Sequence, residues 1–366
     1  MTCGGRTVPQ ASFVFRSPLC ESIAVRAVAL MGPYARQEHV RPFELPGVNI
    51  FCGNEFDPTD EPEAALVFGG DGTIHRHLGA LALKHVPTLI VPIGSGNDFA
   101  QSIGVMSVAA ALSAWKSFCS GAGNTRCIDL GTIQPVTTTS SEEGRSTSAA
   151  WRGETLESMH FVPDGPRRDL PQMGPRIMQS QLRRKTEAEQ EAASTTLFCC
   201  IAGTGLDAAV NRRALEQPRW LRSHGGYVVA LLKILPSFQP PRITLQLESE
   251  NRWETFLDEK GFLLAAGNGP QYGDGMRIAD RAQMNDGLLD VCLVRRLGKL
   301  RLLRLFPVVY KGRHIGMPEV EYFRTSRLRV LSDPKMEVFA DGEFICQTPV
   351  EIGVRPDAFQ IIAPAR

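Results

Sequence analysis

Two glycine-rich loops, each following an apolar run, constrain the fold of this chain more than any other feature of its sequence. The first lies in ALVFGGDGTIHRHLGAL at residues 65–81, and the second lies in VPIGSGNDFAQSIG at residues 91–104. An apolar run, a glycine turn and a helical pattern are typical of the strand-to-helix connections of a parallel α/β sheet. Glycines let the backbone approach a ligand closely, and the N–H groups at a helix start attract anions. The pair therefore predicts a phosphate site at the carboxyl edge of the sheet.

An aspartate inside the first loop qualifies that prediction, because a carboxylate repels a phosphate. Asp71 of GGDGT either caps its own helix or shares the site with a divalent cation or a hydroxyl group. Two such loops, each at the carboxyl end of a predicted parallel strand, favour a ligand site over two capped turns. The second loop contributes Gly94, Ser95, Gly96, Asn97 and Asp98.

The patterning of the chain changes near residue 126. Before this point strand and helix patterns alternate, which indicates a parallel α/β sheet, and after it most patterns have the period of two that is typical of half-buried strands. We therefore expect an α/β domain followed by a β-rich domain. The elements expected in the first part are strands at 11–15, 64–68 and 88–93 and helices at 20–31, 73–84, 97–103 and 107–118.

Composition and charge exclude several classes of protein. The 366 residues carry a formal net charge of +1, which argues against nucleic-acid binding. No apolar segment approaches the roughly 20 residues that span a bilayer, and the first residues lack the pattern of a secretion signal. The nine cysteines form no CxxC pair, and the seven histidines form no HExxH motif. We expect a cytoplasmic protein without a disulfide framework or a structural zinc site.

Residues 137–194 differ from the segments on either side. They are rich in Ser, Thr, Glu, Arg and Pro and poor in aliphatic residues. Such a segment buries too little apolar surface to offset its ordering entropy. We expect a disordered insertion, with a helical piece at residues 179–193.

Four further motifs follow GGDGT and GSGNDFA in a specific order. They are CIDLG at 127–131, FCCIAGTGLDAAV at 198–210, GNGPQYGDGMRIADRAQMNDGLLDV at 267–291 and FADGEF at 339–344. The set resembles the catalytic domain of diacylglycerol kinases and their bacterial lipid-kinase relatives, a domain that sphingosine and ceramide kinases share. The resemblance covers about residues 64–364 apart from the insertion.

The resemblance implies transfer of the γ-phosphoryl group of ATP to a lipid hydroxyl of the diacylglycerol type. It implies an ATP-binding α/β catalytic domain at residues 1–124, completed by the tail at about 356–366. A β-sandwich-like lipid-substrate domain would occupy residues 125–355. The chemistry agrees, because phosphoryl transfer needs positioning and charge neutralisation, Mg²⁺ prefers carboxylate oxygens, and a carboxylate can take the proton of an alcohol.

The resemblance also implies roles for individual residues. Asp341 would be the general base, with Glu343 supporting it, and Asp71 would take part in catalysis. The DG of ADGE at 340–343 is by itself the signal of a tight hairpin, which would present Asp341 rigidly. The metal residues would be Asp71, Asp98 and Asp129, with a structural Mg²⁺ at Asp286 and Asp290. The nucleotide pocket would contain Gly69, Gly70, Gly72, Thr73, Gly94, Ser95, Gly96 and Asn97.

Some positions depart from the family pattern. The family's first strand ends in a loop that touches the phosphates, and its nearest match here, at residues 13–22, has no glycine. Arg76, Cys200 and Asp280 stand where glutamate, asparagine and proline are frequent. These departures keep open two alternatives to an active lipid kinase. One is an enzyme like NAD kinase, which GSGNDFA and the Asp-Gly-Glu motif disfavour, and the other is a catalytically impaired nucleotide- or lipid-binding relative.

The basic, leucine-rich segment at residues 295–314 has near-helical spacing. It either packs on the β-rich domain with a solvated basic edge or contacts an anionic membrane. A lipid substrate at a membrane surface, on its inner face, would be the partner of a lipid kinase. The sequence leaves open homodimerisation and the identity of the lipid.

Overall fold

The computed structural model covers most of the chain outside the amino terminus and the predicted insertion. It describes residues 25–57, 59, 61–136, 195–217, 226–250, 252–273 and 275–364. The strand predicted at 11–15 and the insertion predicted at 137–194, with its helical piece, lie outside the described residues. Within these ranges no helix is both long enough and apolar enough to cross a membrane.

Helices and strands alternate at first, and strands dominate later. In the residues described, the helices are α1 Gln37–Val40, α2 Asp71–Leu83, α3 Asp98–Ser102, α4 Val108–Cys119, α5 Leu206–Leu215, α6 Gly226–Ile234 and α7 Lys299–Val309. The strands there are β1 Val25–Met31, β2 Val48–Gly53, β3 Ala64–Gly69, β4 Thr88–Pro92, β5 Thr125–Pro135, β6 Thr196–Phe198, β7 Ile201–Gly205, β8 Arg242–Ser249, β9 Arg252–Gly267, β10 Leu289–Arg295, β11 Val320–Thr325, β12 Arg327–Asp333, β13 Glu337–Ala340, β14 Glu343–Gln347 and β15 Val350–Ile362.

A parallel sheet in the order β2-β1-β3-β4 forms the first part of the structure. Its central strand β3 is buried along its whole length, as expected when helices cover both faces of a sheet. Phe68 of β3 packs edge-on against Phe43 with ring centroids 5.2 Å apart. Trp115 of α4 extends this core, and its Nε1 donates to the carbonyl of Phe43 over 2.9 Å. The sheet edge that carries the glycine loops is therefore rigidly supported.

Two antiparallel sheets form the second part. One has the order β14-β13-β7-β9-β10-β11 and the other the order β9-β8-β12-β15-β5-β6, because the two halves of the long strand β9 belong to different sheets. The facing sides bury one apolar cluster that draws residues from both sheets. It includes Phe198, Ile243, Leu264, Val291 and Val350.

Strand β15 joins the two parts. Its first half pairs with β12 in the sandwich, its end lies parallel to β4, and β5 accompanies it along both halves. The register changes between the pair Leu130–Arg355 and the pair Ile128–Phe359, where one residue of β5 faces three residues of β15. The strand bulges at this point, as it must when two sheets of different direction share it. The domain boundary predicted at residue 124 is therefore followed directly by β5, which pairs with β15 both in the sandwich and beside the parallel sheet.

The predicted fold class is confirmed, and one predicted element is wrong. The spacing at residues 20–31 predicts a helix, but Val25–Met31 forms β1 between β2 and β3. A strand buried on both faces has a continuous apolar run, so its pattern does not alternate and cannot be distinguished from a short helix by spacing. The helices predicted at 73–84, 97–103 and 107–118 begin and end within about two residues of the observed bounds.

Replacement of Leu66 by alanine should lower the free energy of unfolding by about 2–5 kcal/mol, because this fully buried side chain of β3 would leave a cavity. Leu83, at the end of α2, is 70% exposed and provides the matched control. The variant Leu83→Ala should change the free energy of unfolding by about 0.5 kcal/mol or less. Urea unfolding followed by circular dichroism measures both values, and equal losses would contradict the central position of β3.

Candidate active site

The two glycine loops touch each other because β3 and β4 are parallel neighbours, with Gly69 paired to Pro92. The N–H of Asp71 donates to the carbonyl of Gly96 over 3.1 Å. A Cβ atom on Gly70 would lie 2.1 Å from the carbonyl oxygen of Gly96, which no real side chain tolerates. The loops can therefore approach this closely only because glycine occupies the contact.

Asp71 begins α2, but its carboxylate does not cap that helix. Its Oδ2 accepts the N–H of Asp98 over 3.1 Å and its Oδ1 accepts the N–H of Phe99 over 3.0 Å, so it caps α3 of the second loop. The N-cap of α2 is Gly70. Burial raises the pKa of Asp71, the charges of Asp98 and Asp341 add to the increase and the two N–H groups oppose it, and the resulting pKa is about 7. A cation entering this site would favour the charged carboxylate.

One cavity of about 440 Å³ lies in front of both loops and extends to the β-sandwich. Asn97 is not on its wall, since its Nδ2 donates to the carbonyl of Gly94 over 2.8 Å and its Oδ1 accepts the N–H of Gly94 over 3.2 Å. Asn97 therefore stabilises the conformation of the second loop. The other predicted nucleotide residues lie on the wall, namely Gly69, Gly70, Gly72, Thr73, Gly94, Ser95 and Gly96.

Of the three carboxylates predicted to organise magnesium, Asp71 and Asp98 lie on the cavity wall and Asp129 does not. Asp129 lies at the bulge between β5 and β15, where its Oδ1 accepts the N–H of Asp357 over 2.9 Å and its Oδ2 accepts the N–H of Gly287 over 2.7 Å. Both carboxylate oxygens of Asp129 thus hold backbone groups at the joint of the two sheets, and its role as a metal residue stays a prediction. Among the described residues, no three acidic, histidine or cysteine side chains form a ready-made metal site.

Asp341 occupies a two-residue hairpin turn between β13 and β14, as the sequence predicts. Both turn residues have positive φ, 48° for Asp341 and 84° for Gly342, as a type I′ turn requires. The carboxylate accepts the N–H groups of Cys199, Cys200 and Ile201 over 2.6, 2.8 and 3.2 Å. Burial raises the pKa of Asp341, and these N–H groups oppose the increase. The acid is thus held in one orientation on the cavity wall.

The same hairpin brings Glu343 to the first turn of α2. Its Oε1 lies 3.1 Å from the position that a Cβ atom on Gly72 would take, and both residues line the cavity. Arg76 is the one basic side chain among the described wall residues. Acidic groups therefore dominate the cavity, and they are Asp71, Asp98, Asp341 and Glu343.

An arginine occupies the second predicted metal site. Nη2 of Arg324 lies 3.0 Å from Oδ2 of Asp286, and its Nε lies 3.3 Å from both carboxylate oxygens of Asp290. The hydroxyl of Tyr322 also donates to Oδ1 of Asp290 over 2.9 Å. The structural Mg²⁺ expected at Asp286 and Asp290 would therefore have to compete with a guanidinium for these carboxylates.

The first described strand beside the site is β1, which lies after the match proposed at residues 13–22. Gly32 follows β1, and Pro33 and Tyr34 then line the cavity. A Cβ atom on Gly32 would lie 2.5 Å from Oγ1 of Thr73, so this glycine allows β1 to approach α2. The match proposed at residues 13–22 lies outside the described residues. The sequence signal for β1 and its loop is the apolar run VRAVALM, which glycine and proline follow directly.

The sequence patterns also did not predict a buried polar cluster that borders the cavity. Asp207 of α5 accepts the hydroxyl hydrogens of Tyr227 and Tyr272, each over 2.5 Å. Burial raises the pKa of Asp207, and the two hydroxyls oppose the increase. Both tyrosines border the main cavity and a second, mostly apolar cavity of about 50 Å³. The motif GTGLDAAV marks only Asp207, because the tyrosines come from distant segments.

Paired glycine loops that face an acidic hairpin across one cavity define a kinase-type site on an α/β sheet and a β-sandwich. Two family models match the corresponding parts of the chain. Residues 54–133 match the diacylglycerol kinase catalytic domain. Residues 200–363 match the YegS C-terminal NAD kinase beta sandwich-like domain.

Comparison with individual proteins gives the same family as the two family models. A diacylglycerol kinase of Mycobacterium tuberculosis is 29% identical over 308 residues, which cover 82% of this chain and 77% of that protein. A protein of Chromohalobacter salexigens named "Probable lipid kinase YegS-like" is 30% identical over 301 residues, which cover 81% of this chain and 74% of that protein. The crystal structure of a diacylglycerol kinase from Bacillus anthracis has the same fold, with a TM-score of 0.54, 15% identity and coverage of 93% of this chain and 97% of that one. The chain belongs to this family of diacylglycerol and YegS-like lipid kinases, and it is a kinase.

Asp71 should make the folded chain less stable as the pH rises from about 4 to about 7. Its pKa is about 7 in the folded chain against an ordinary value of 3.8, so the folded chain holds a proton that the unfolded chain has lost in this interval. The titration of Asp71 should lower the free energy of unfolding by on the order of 2–4 kcal/mol. The loss is complete once the pH exceeds the pKa of Asp71 in the folded chain.

Urea unfolding at pH 5 and pH 8, without metal or nucleotide, measures this effect. The variant Asp71→Asn should lose less stability than the unmodified chain between the two pH values. The variant Asp57→Asn, which alters an exposed acid outside the site, should keep the original dependence. If Asp71→Asn and the unmodified chain lost the same free energy of unfolding between pH 5 and pH 8, the raised pKa of Asp71 would be contradicted.

Proposed function

We propose that this kinase transfers the γ-phosphoryl group of ATP, with Mg²⁺, to the hydroxyl group of a diacylglycerol-like lipid. The observation that supports this most directly is the position of Asp341. The hairpin aims this single oriented carboxylate into the cavity that the glycine loops border, and the acids of the α/β sheet line the same cavity.

The glycine loops support ATP as the phosphoryl donor. The first loop leads into α2, whose amino end bears Gly72 and Thr73 on the cavity wall. Free N–H groups at such a helix start favour phosphate oxygens. Ser95 of the second loop provides a further polar group on the same wall. The residues of this chain would thus hold the phosphates at the sheet edge and orient the terminal group toward the hairpin.

The acids on the wall fit a divalent cation. The pKa of Asp71 is raised by burial and by the charges of Asp98 and Asp341, and the described wall holds four acids beside one basic side chain, Arg76, so a cation would favour the charged carboxylates. Mg²⁺ is commonly held by one or two carboxylates together with water and substrate phosphates, and Asp71 and Asp98 meet that requirement. When bound, the ion would neutralise part of the charge of the phosphates.

Asp341 would act as the general base. Its carboxylate is fixed by three N–H groups, and burial raises its pKa, which increases its affinity for the proton of an alcohol. Glu343, on the exposed side of the same turn, adds negative charge near the first turn of α2. The hydroxyl of the acceptor would lie between Asp341 and the terminal phosphate, with its proton passing to the carboxylate.

A second cavity supports a lipid as the acceptor. This mostly apolar cavity lies between α5, α6 and α7 on one side and strands of the sandwich on the other. Tyr227 and Tyr272 border both cavities, so an apolar chain that widened the second, whose volume is about 50 Å³, would place its polar end in the first. The wall includes Val210, Leu231, Leu263, Met276, Val294 and Leu302. NAD offers no apolar chain for such a cavity, which favours the lipid over a nucleotide acceptor.

The basic segment at residues 295–314 supports the proposal of a membrane-bound lipid as substrate. It forms α7, in which Leu302 is buried against the second cavity while Leu300 is 74% exposed. Leu232 of α6 is also 52% exposed. Apolar tips beside Lys and Arg side chains suit the surface of an anionic bilayer. We propose peripheral attachment through this region, on the cytoplasmic face.

The variant Asp341→Asn should lower kcat by roughly 10²- to 10⁴-fold, because an amide cannot take the hydroxyl proton. The KM for ATP should change little. The assay uses radiolabelled ATP and Mg²⁺ with mixed micelles of diacylglycerol, and a parallel arm offers NAD. The exposed acid Asp333 provides the matched control, and Asp333→Asn should keep full activity.

The products distinguish the alternatives. Labelled phospholipid from the unmodified chain supports the proposal, and labelled NADP without labelled lipid would overturn it. ATP binding without either product would identify a catalytically impaired relative. Full activity of Asp341→Asn, in protein with unchanged thermal unfolding, would show that another group acts as the base.

The variant Leu302→Trp should raise the KM for the lipid by roughly tenfold or more, because a large side chain would fill the apolar cavity. The KM for ATP should not change. Leu83→Trp adds the same side chain at an exposed leucine of α2 that lies on neither cavity wall nor on α7, so its lipid KM should stay close to the original value. Equal effects of both substitutions would argue against this cavity as the lipid site.

A further inference from the structure

Arg324 occupies the position at which the family resemblance implies a structural metal ion. It lies on β11 directly opposite Asp290 of β10, in the antiparallel register. We propose that the guanidinium of Arg324 replaces a divalent cation between Asp286 and Asp290, so that this part of the chain folds without bound metal. This proposal is independent of the phosphoryl acceptor proposed above.

The hydrogen bonds of the cluster satisfy the four carboxylate oxygens. Oδ1 of Asp286 accepts the N–H of Leu288 over 3.1 Å, and its Oδ2 accepts Nη2 of Arg324. Oδ1 of Asp290 accepts the hydroxyl of Tyr322 and shares Nε of Arg324 with Oδ2. Mg²⁺ needs near-octahedral oxygen ligands at about 2.0–2.1 Å, and it could reach these oxygens only by displacing the guanidinium.

Burial makes a counter-charge necessary. The side chain of Asp290 is 0% exposed and that of Asp286 is 20% exposed. Burial raises the pKa of Asp290, whereas the Tyr322 hydroxyl and the Arg324 charge oppose the increase. Two acids this close repel each other unless a cation lies between them. Arg324 is a permanent cation whose planar fork reaches both carboxylates at once.

The cluster also has a structural consequence. Asp286 is held by Arg324, and the next residue, Gly287, donates its N–H to Asp129 at the joint of the two sheets. The loop before β10 is therefore fixed at two successive residues by groups of the chain itself. A metal ion would provide the same fixation only at sufficient free concentration, whereas the arginine provides it always.

Thermal unfolding of the full chain without nucleotide tests the proposal. The rise in melting temperature from EDTA to millimolar Mg²⁺ or Ca²⁺ should agree to within about 1 °C between the unmodified chain and Asp286→Asn, because no metal stabilises this cluster. Any response that arises at Asp71 and Asp98 should persist unchanged in Asp286→Asn. A response in the unmodified chain that Asp286→Asn abolishes would overturn the proposal.

The variant Arg324→Leu should lower the melting temperature by roughly 4–10 °C in EDTA, because it leaves a buried acid unpaired. Mg²⁺ or Ca²⁺ should recover about half of that loss, since the two freed carboxylates form a cation site. The matched control is Arg242→Leu on β8, which removes a guanidinium paired with Asp258 alone. Its response to either metal should equal that of the unmodified chain.

Two further results keep the proposal testable if Arg324→Leu does not fold. Arg324→Lys retains a charge but loses the fork, so its metal response should exceed that of the unmodified chain by less than about 1 °C. Mn²⁺ titration followed by electron paramagnetic resonance should find the same nucleotide-free stoichiometry in the unmodified chain and in Asp286→Asn. A site that Asp286→Asn removes would overturn the proposal.

Discussion

The carboxylate of Asp129 holds the two parts of the molecule in register, and the active site depends on that register. Its two oxygens accept the N–H groups of Asp357 and Gly287, and its main-chain carbonyl accepts Nδ2 of Asn268 over 2.9 Å. Hydrogen bonds to a charged group contribute roughly 1.5–3 kcal/mol each, so the bulge of β15 is strongly specified. Because Asp71 lies on the α/β sheet and Asp341 lies on the sandwich, this joint determines how they face each other.

The cavity between the two parts concentrates acids on a surface built for phosphates. Backbone N–H groups hold Asp71 and Asp341 in single orientations, and burial, together with the charges of Asp98 and Asp341, raises the pKa of Asp71. Such an arrangement is unfavourable until a cation enters. The glycine loops make it possible, because the backbone contact of Gly70 with Gly96 leaves the space in front of them free for a ligand.

The chain treats its two acidic clusters differently, and the difference matches their roles. At the cavity, four acids share the described wall with one basic side chain, Arg76, which suits a cation that arrives with the phosphates. The cluster at Asp286 and Asp290 is closed by Arg324, which suits a position that only needs to stay in place. The small apolar cavity behind Tyr227 and Tyr272 lies next to the main cavity, and its described wall has no acidic cluster of its own to neutralise.

Local sequence determined the loops, the hairpin and the fold class. Glycines after apolar runs and Asp-Gly between alternating strands have few conformations, so GGDGT, GSGND and ADGE predict their own geometry and place Asp341 correctly. The tertiary structure decided everything that depends on distant segments: the structural role of Asp129, the partnership of Arg324 with two acids, and the tyrosines around Asp207. It also decided that Val25–Met31 is a strand, because burial on both faces removes the alternation that would have identified it. Side-chain partners separated by tens to hundreds of residues meet only through sheet register, and no local pattern encodes that register.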